Sequence, residues 1–302
     1  MRLDFTVPAE FAGRRMSDFL RTGGLTAGLI RSVKYNEGGI CLDGVQAKTN
    51  TLLREGQRVS VQLPSEPETS VQPEPVPLDI LYESAFAMVL NKPVGVLVHP
   101  SAAQAHGTLA GGWCWLMRLR QTPTPFRPIT RIDRNTSGLV LCAMNRFAAP
   151  LLLAGLEKTY IAIAEGELPL GAGVIDAPIA LADHSTICRC VSPDGKPSRT
   201  EYTVLCAKNG YSLLRVVTLT GRTHQIRVHF ASLGHPLAGD DLYGGSCELI
   251  SHHALHAAKL RFMEPFGTIK QELIAPLPQE LCELCEKIGM AEALKSGDLC
   301  CF

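Results

Sequence analysis

The chain of 302 residues is 46% apolar and 19% charged, which excludes a disordered protein and leaves room for a catalytic domain plus a small module. Its 29 basic and 29 acidic side chains cancel, which by itself argues against a nucleic-acid partner. No apolar run is long enough to span a bilayer, and "MRLDFTVPAEF" carries charge where a signal peptide would be apolar, so no membrane and a cytoplasmic location are expected.

The charges are not spread evenly, however. Residues 1–64 hold nine Lys/Arg against six Asp/Glu. Within them "RRMSDFLRTGGLTAGLIRSVKYNEGG" predicts two short helices, and "ICLDGVQA" a hairpin turning at Asp43-Gly44. "LREGQRVSVQL" predicts a closing strand with Val59, Val61 and Leu63 on one face. This helix–helix–hairpin order resembles an S4-type RNA-binding module, which implies an RNA contact through Arg31 and Lys34 of the second helix, with Lys48, Arg54 and Arg58 beyond. An anonymous small α+β module is the competing reading, since S4 relatives commonly have Asn-Gly at the hairpin turn.

Residues 65–77, in "PSEPETSVQPEPVP", are rich in proline and acid and predict an extended, flexible linker to a catalytic domain over 78–286. There "FAMVLNKPVGVLVHP" predicts a strand, a turn at Lys92-Pro93 and a second strand, with Lys92 a turn or phosphate-contacting residue. "GLVLCAM" and "KTYIAIAEG" predict strands, the latter placing Tyr160, Ala162 and Ala164 on one face and Ile161 and Ile163 on the other. "YSLLRVVTLTGRTHQIRVHFASLGHP" predicts a strand to Thr220, a turn at Gly221 and a helix. Thr223 caps that helix, Ile226, Phe230 and Leu233 form its apolar face, and Arg227 lies at the edge of that face. Strands and helices mix without regular alternation, so the expected class is α+β with a mixed, largely antiparallel sheet. Cys282 and Cys285 lie in a predicted helix, and Cys300 and Cys301 are adjacent; neither pair has the second ligand pair that zinc requires, so no metal is expected. Residues 287–302 form a C-terminal tail, within a stretch 271–302 that holds six acids against two bases.

One stretch stands apart. "RPITRIDRNTSGLVLCAMN" sets Asp133 between Arg131 and Arg134 at the mouth of a buried strand. A turn aspartate neutralised by its neighbours is one reading. A carboxylate held ionised for chemistry is the other. The histidines at 224, 229 and 235 crowd one region, and Asp240-Asp241 offers paired acids, although adjacent residues commonly point apart.

Four motifs then occur in order: "RIDRNTSGLVL", "KTYIAIAEG", "TGRTHQIRVHFASLGHPLAGDDLYGG" and "HALHAAKLRF". Together, and with "LNKPVGVLVHP" and "GKPSRTEYTVL", they resemble the RluA/RluD family of RNA pseudouridine synthases over residues 80–280. The resemblance implies Asp133 as the nucleophile, Tyr160 as the active-site tyrosine and Arg227 as its basic partner. It implies RNA or substrate contacts from Arg131, Arg134, Arg222, His224 and Gln225, and Leu260 packed under the uracil ring. It also implies a monomer acting on structured RNA, rRNA rather than tRNA, without metal or organic cofactor. The rival readings are a silent RNA-binding protein that keeps the fold and an aspartate-dependent base glycosylase. Three departures stand out: Thr130 replaces a common histidine, the segment before Tyr160 is about one helical turn short, and the overall charge is less basic than expected.

Overall fold

The structure, a computed structural model, describes residues 1–66, 69–102 and 104–294. Cys300 and Cys301 lie outside them. The first unit is a four-stranded antiparallel sheet in the order β1-β4-β2-β3, formed by β1 (Arg2–Thr6), β2 (Ile40–Leu42), β3 (Val45–Gln46) and β4 (Arg58–Gln62). Two helices, α1 (Met16–Thr22) and α2 (Ala27–Val33), lie between β1 and β2. The Thr26 hydroxyl accepts from the Leu29 N–H and caps α2. Asp43 and Gly44 both take positive φ, 50° and 84°, as a two-residue hairpin turn requires. Val59, Val61 and Leu63 all face the core with Leu20, Ile30 and Ile40. Strand β1 has no counterpart in the sequence reading.

The acidic segment after this unit is extended but anchored. Glu66 pairs with Arg127 and with Arg146, the latter at 3.3 Å. Glu74 accepts the Gly107 N–H at 2.7 Å and meets His106 at 3.1 Å. The carboxylates that suggested a solvated linker are the groups that fasten it to the larger unit. The first unit is docked as well: Phe86, Phe147 and Leu151 join its core. Phe266 packs on Phe5, Phe86 and Phe147 with ring centroids 5.5–5.9 Å apart.

The larger unit carries β5 (Asp79–Glu83), β6 (Ala87–Lys92), α3 (Leu109–Leu119), β7 (Ser137–Ala143), α4 (Ala148–Leu153), β8 (Glu157–Glu165) and β9 (Gly171–Asp176). It continues with the small hairpin β10 (Ile179–Leu181) and β11 (Arg189–Val191), then β12 (Arg199–Lys208), β13 (Tyr211–Thr218), α5 (Gln225–Ser232), β14 (Leu255–Met263), β15 (Lys270–Ile274) and α6 (Gln279–Lys287). Nine of these strands form one sheet, β5-β6-β7-β14-β8-β13-β12-β9, with β15 added on β14. Only β7 and β14 run parallel; the class is the expected mixed, largely antiparallel α+β. Residues 93–99 form no second strand beyond a single bridge at Leu97, and β13 stops two residues before Thr220.

The alternation read from "KTYIAIAEG" holds. Ala162 and Ala164, with Tyr160, pack under α5 against Leu214, Val216, Ile226 and Phe230. Ile161 and Ile163 pack on the other face against Leu281, Leu284 and Cys285 of α6. Cys282 and Cys285 therefore belong to a core-facing helix. Leu233, expected on the apolar face of α5, is instead 46% exposed, because the helix ends at Ser232 and the chain turns away.

Candidate active site

The parallel pairing of β7 and β14 fixes the mouth of the site. Gly138 opposes Ala257 with φ +104°, and a Cβ there would lie 2.3 Å from the Ala257 carbonyl oxygen, so only glycine fits. Just before it, the Thr136 N–H closes a turn on the Asp133 carbonyl at 3.1 Å. Two histidines in and just before β14 pin this turn: His253 Nε2 meets Thr136 Oγ1 and His256 Nδ1 meets Ser137 Oγ, both at 2.8 Å. Burial pulls the His253 pKa down to about 3, helped by the Arg227 charge, and that of His256 down to about 4.

Beneath the loop lies Lys92, fully buried. Its Nζ donates at 2.8 Å to the carbonyls of Pro93, Val96 and Arg134, three acceptors for the three hydrogens of an ammonium. Burial lowers its pKa to about 7, against the raising effect of the Asp133 charge. A lysine so enclosed cannot touch phosphate; it ties the 93–96 turn to the Asp133 loop. Thr130 is buried too, its hydroxyl accepting the Leu141 N–H at 2.9 Å, so the residue that departs from the family pattern serves the backbone.

Neither flanking arginine neutralises Asp133. Arg134 donates to the Gly95 carbonyl at 3.0 Å, and Arg131 is exposed with no carboxylate partner among the described residues. The counter-charge comes from Arg227, 94 residues away, whose Nη1 donates to Asp133 Oδ2 at 3.0 Å. Arg227 projects from the first turn of α5 and is buried rather than at an edge. Its remaining donors, Nε and Nη2, hold the two oxygens of Asp240, each at 2.7 Å. Burial works against the Arg227 charge, but the bonds and charge of Asp240, with those of Asp133, hold its pKa above the usual guanidinium range. Asp240 is wholly buried, whereas Asp133 keeps 26% of its side chain exposed. Asp240 reaches Arg227 from a tight turn at Gly239 (φ +75°), where a Cβ would lie 2.1 Å from the His252 carbonyl oxygen.

Tyr160 stands beside this pair. Burial pushes its phenol up to about 12, the Asp133 charge adding to the effect, so it stays protonated at neutral pH. One buried guanidinium thus holds a half-open carboxylate, next to an aromatic ring. That arrangement can hold an ionised nucleophile against a planar base.

The other expected contacts divide. His224 lies at the site, its Nε2 3.8 Å from Asp133 Oδ2. Gln225 does not reach outward: it is buried, its Oε1 accepting from Thr220 Oγ1 and the Arg222 N–H, its Nε2 donating to the Arg199 carbonyl and Thr200 Oγ1. It closes the turn that Thr223 was expected to cap. Arg222 is exposed, its Nε donating to the Pro197 carbonyl. Leu260 is 2% exposed among Leu139, Leu141, Leu152 and Phe262, and so offers no face to a uracil ring. Arg31 lies on the outer face of α2, and Lys34, at its end, stacks over the Tyr35 ring at 4.4 Å. His229 is a core residue bonded to Thr200 and to the Ala177 carbonyl. Asp240 and Tyr243 are the site residues the sequence reading did not select. The run "GDDLYGG" was their only signal.

The RNA pseudouridylate synthase family matches residues 87–232. The RNA pseudouridine synthase YjbO of Bacillus subtilis is 36% identical over 86% of this chain and 94% of its own length. The ribosomal large subunit pseudouridine synthase D of Xylella fastidiosa is 31% identical over 96% of this chain and 93% of its own. Among solved structures, human RNA pseudouridylate synthase domain containing 1 superposes with a TM-score of 0.54 at 26% identity, covering 71% of this chain and 87% of that one. By sequence, fold and the convergence of Asp133, Tyr160 and Arg227, this chain belongs to the RNA pseudouridine synthase family.

Proposed function

We propose that this enzyme isomerises uridines of structured RNA, ribosomal before transfer RNA, to pseudouridine, with Asp133 as the nucleophile. The observation that carries the reading is a partly exposed carboxylate bonded at 3.0 Å to a buried arginine that is itself locked from behind. The reaction must break the N1–C1′ bond, turn the uracil, and join C5 to C1′. An ionised aspartate can attack the base or sugar, or assist loss of the ribose C2′ proton, and each route needs that carboxylate out of bulk water. Tyr160 supplies a ring face beside it.

A stacked uridine cannot enter such a site, so the base is flipped at a cost of a few kcal/mol. Arg131, exposed on the loop that bears Asp133, is placed to hold the opened strand. Arg31 and Lys34 on the small S4-like unit extend the RNA contact. The preference for rRNA rests on relatives that carry ribosomal large subunit names. The protein works as a monomer in the cytoplasm; among the described residues no helix is long and apolar enough to cross a membrane.

Pseudouridine mapping in total RNA from cells lacking this protein tests the proposal. One or more rRNA uridines should lose modification and regain it with the wild-type gene, while an Asp133→Asn gene fails to restore it. Loss confined to tRNA would overturn the substrate, and free uracil released by the purified protein would indicate a glycosylase instead.

A further inference from the structure

His224 has an unusual backbone. It precedes α5 at φ 56°, ψ 20°, in the left-handed region, and its side chain makes no capping bond. A non-glycine residue there costs of order 1–3 kcal/mol and persists only where its surroundings over-determine it. The turn does not need the imidazole, because Gln225 already serves the neighbouring backbone and hydroxyl groups.

What holds the imidazole is Tyr243. Its Oη lies 2.8 Å from His224 Nδ1, with the rings edge-on at 5.6 Å. The same oxygen accepts the Arg189 N–H at 3.0 Å, and the Arg227 guanidinium lies over the phenol ring at 5.0 Å. With Oη already accepting from Arg189, its own proton has one acceptor among the described contacts, His224 Nδ1. That leaves the ring hydrogen on Nε2, which faces Asp133 Oδ2 at 3.8 Å. The distance is beyond a hydrogen bond, and a shift of under about 1 Å closes it, as catalytic contacts commonly tighten when substrate binds. Asp133 Oδ2 also receives Arg227, whereas Oδ1 has no hydrogen-bond partner among the described residues.

We propose that His224 is a positioning residue for the reaction: as its Nε2–H tautomer, fixed by Tyr243, it shares Oδ2 of Asp133 with Arg227 and leaves Oδ1 as the oxygen that meets the uridine. The inference rests on Asp133 being the nucleophile. Burial lowers the His224 pKa, Asp133 and Asp240 raise it, and Arg227 and Arg189 lower it, so the ring is neutral at pH 7. His253 shares this surrounding charge. Protonation would put a second full cation on Asp133 and set a new Nδ1–H against the Tyr243 hydroxyl proton.

The test is single-turnover pseudouridine formation by full-length His224→Gly, His224→Gln and Tyr243→Phe, on RNA from cells lacking the protein, between pH 5 and 9. Glycine accepts the left-handed backbone without strain, so His224→Gly should melt no lower than wild type and bind RNA within about threefold. Its single-turnover rate should fall by about 30- to 100-fold, the scale of a misplaced reacting group. Wild type should lose rate on the acid side of the ordinary imidazole range, where the burial-lowered imidazole protonates, and His224→Gly should lack that limb. His224→Gln, which keeps an N–H donor, should recover part of the rate, and Tyr243→Phe should shift the acidic limb. A folded His224→Gly within about threefold of wild type, with an unchanged pH profile, would overturn the proposal. The underlying reading fails separately, and only if Asp133→Asn keeps turning over.

Discussion

Arg227 serves two carboxylates of different kinds, and removing it should separate stability from activity. Asp240 has no exposed side-chain surface, and both its oxygens are held by Arg227 at 2.7 Å. In Arg227→Met that carboxylate stays buried with no counter-charge, which typically costs about 3–5 kcal/mol. At 2–4 °C per kcal/mol for a chain of this order of size, the midpoint of thermal unfolding should fall by about 10 °C. Asp133 retains contact with water and contributes little to that loss. The double variant Arg227→Met/Asp240→Leu replaces the buried pair with apolar groups of similar bulk and should regain most of the stability. It should regain no activity, because Asp133 still lacks its anchor, and turnover should stay at least about a hundredfold down. Differential scanning calorimetry beside single-turnover assays reads both quantities. Arg227→Met melting within about 2 °C of wild type, on that same scale, would show that Asp240 does not depend on the guanidinium.

Acid should destabilise the fold through the buried histidines. His253 and His256, with pKa values lowered to about 3 and about 4, stay neutral in the folded protein while the unfolded chain binds protons below about 6.5. The contribution of these two histidines to the unfolding free energy should therefore be flat above about pH 6.5 and fall by about 1.4 kcal/mol per pH unit for each between 6.5 and 4. Urea titrations read that slope, and a flat response would contradict the burial argument. Gly138→Ala should cost at least about 3 kcal/mol, from a positive φ and a methyl 2.3 Å from the Ala257 oxygen; a loss under about 1 kcal/mol by denaturant titration would mean that β7 and β14 can separate cheaply. Replacing Arg31 and Lys34 together with alanine should weaken RNA binding and reduce the salt-dependence slope by about one to two, with the chemical step unchanged. An unaltered slope would remove that face of α2 from the interface.

Local pattern carried much of this structure. The two-residue turn at Asp43-Gly44 and the alternating faces of β8 follow from spacing, whereas the approach of Arg227 to Asp133 was expected from the motifs shared with the family. What stayed hidden depends on partners far apart in the chain. Glu66 and Glu74 suggested a solvated linker because Arg127, Arg146 and the Gly107 N–H are not neighbours in sequence. Asp240 was set aside as one of two adjacent acids, and only its burial behind Gly239 shows that it locks Arg227. Lys92 gave no sign that three carbonyls enclose it. Leu260 and Gln225 were placed by motif, and their burial gives both of them to the interior. The docking of the small unit through Phe147, Leu151 and Phe266 also means that cutting it away would bare an apolar face.

The central claim is that Asp133 performs the isomerisation, and one comparison tests it most directly. Purified wild type and Asp133→Asn are each mixed in excess with the RNA that loses pseudouridine in cells lacking the protein, and product is followed in a single turnover. Asparagine keeps the shape and can still meet Arg227, so RNA binding should stay within a few-fold while product formation falls by at least about four orders of magnitude. Product formation by Asp133→Asn above about a hundredth of the wild-type rate, with RNA binding intact, would contradict the assignment.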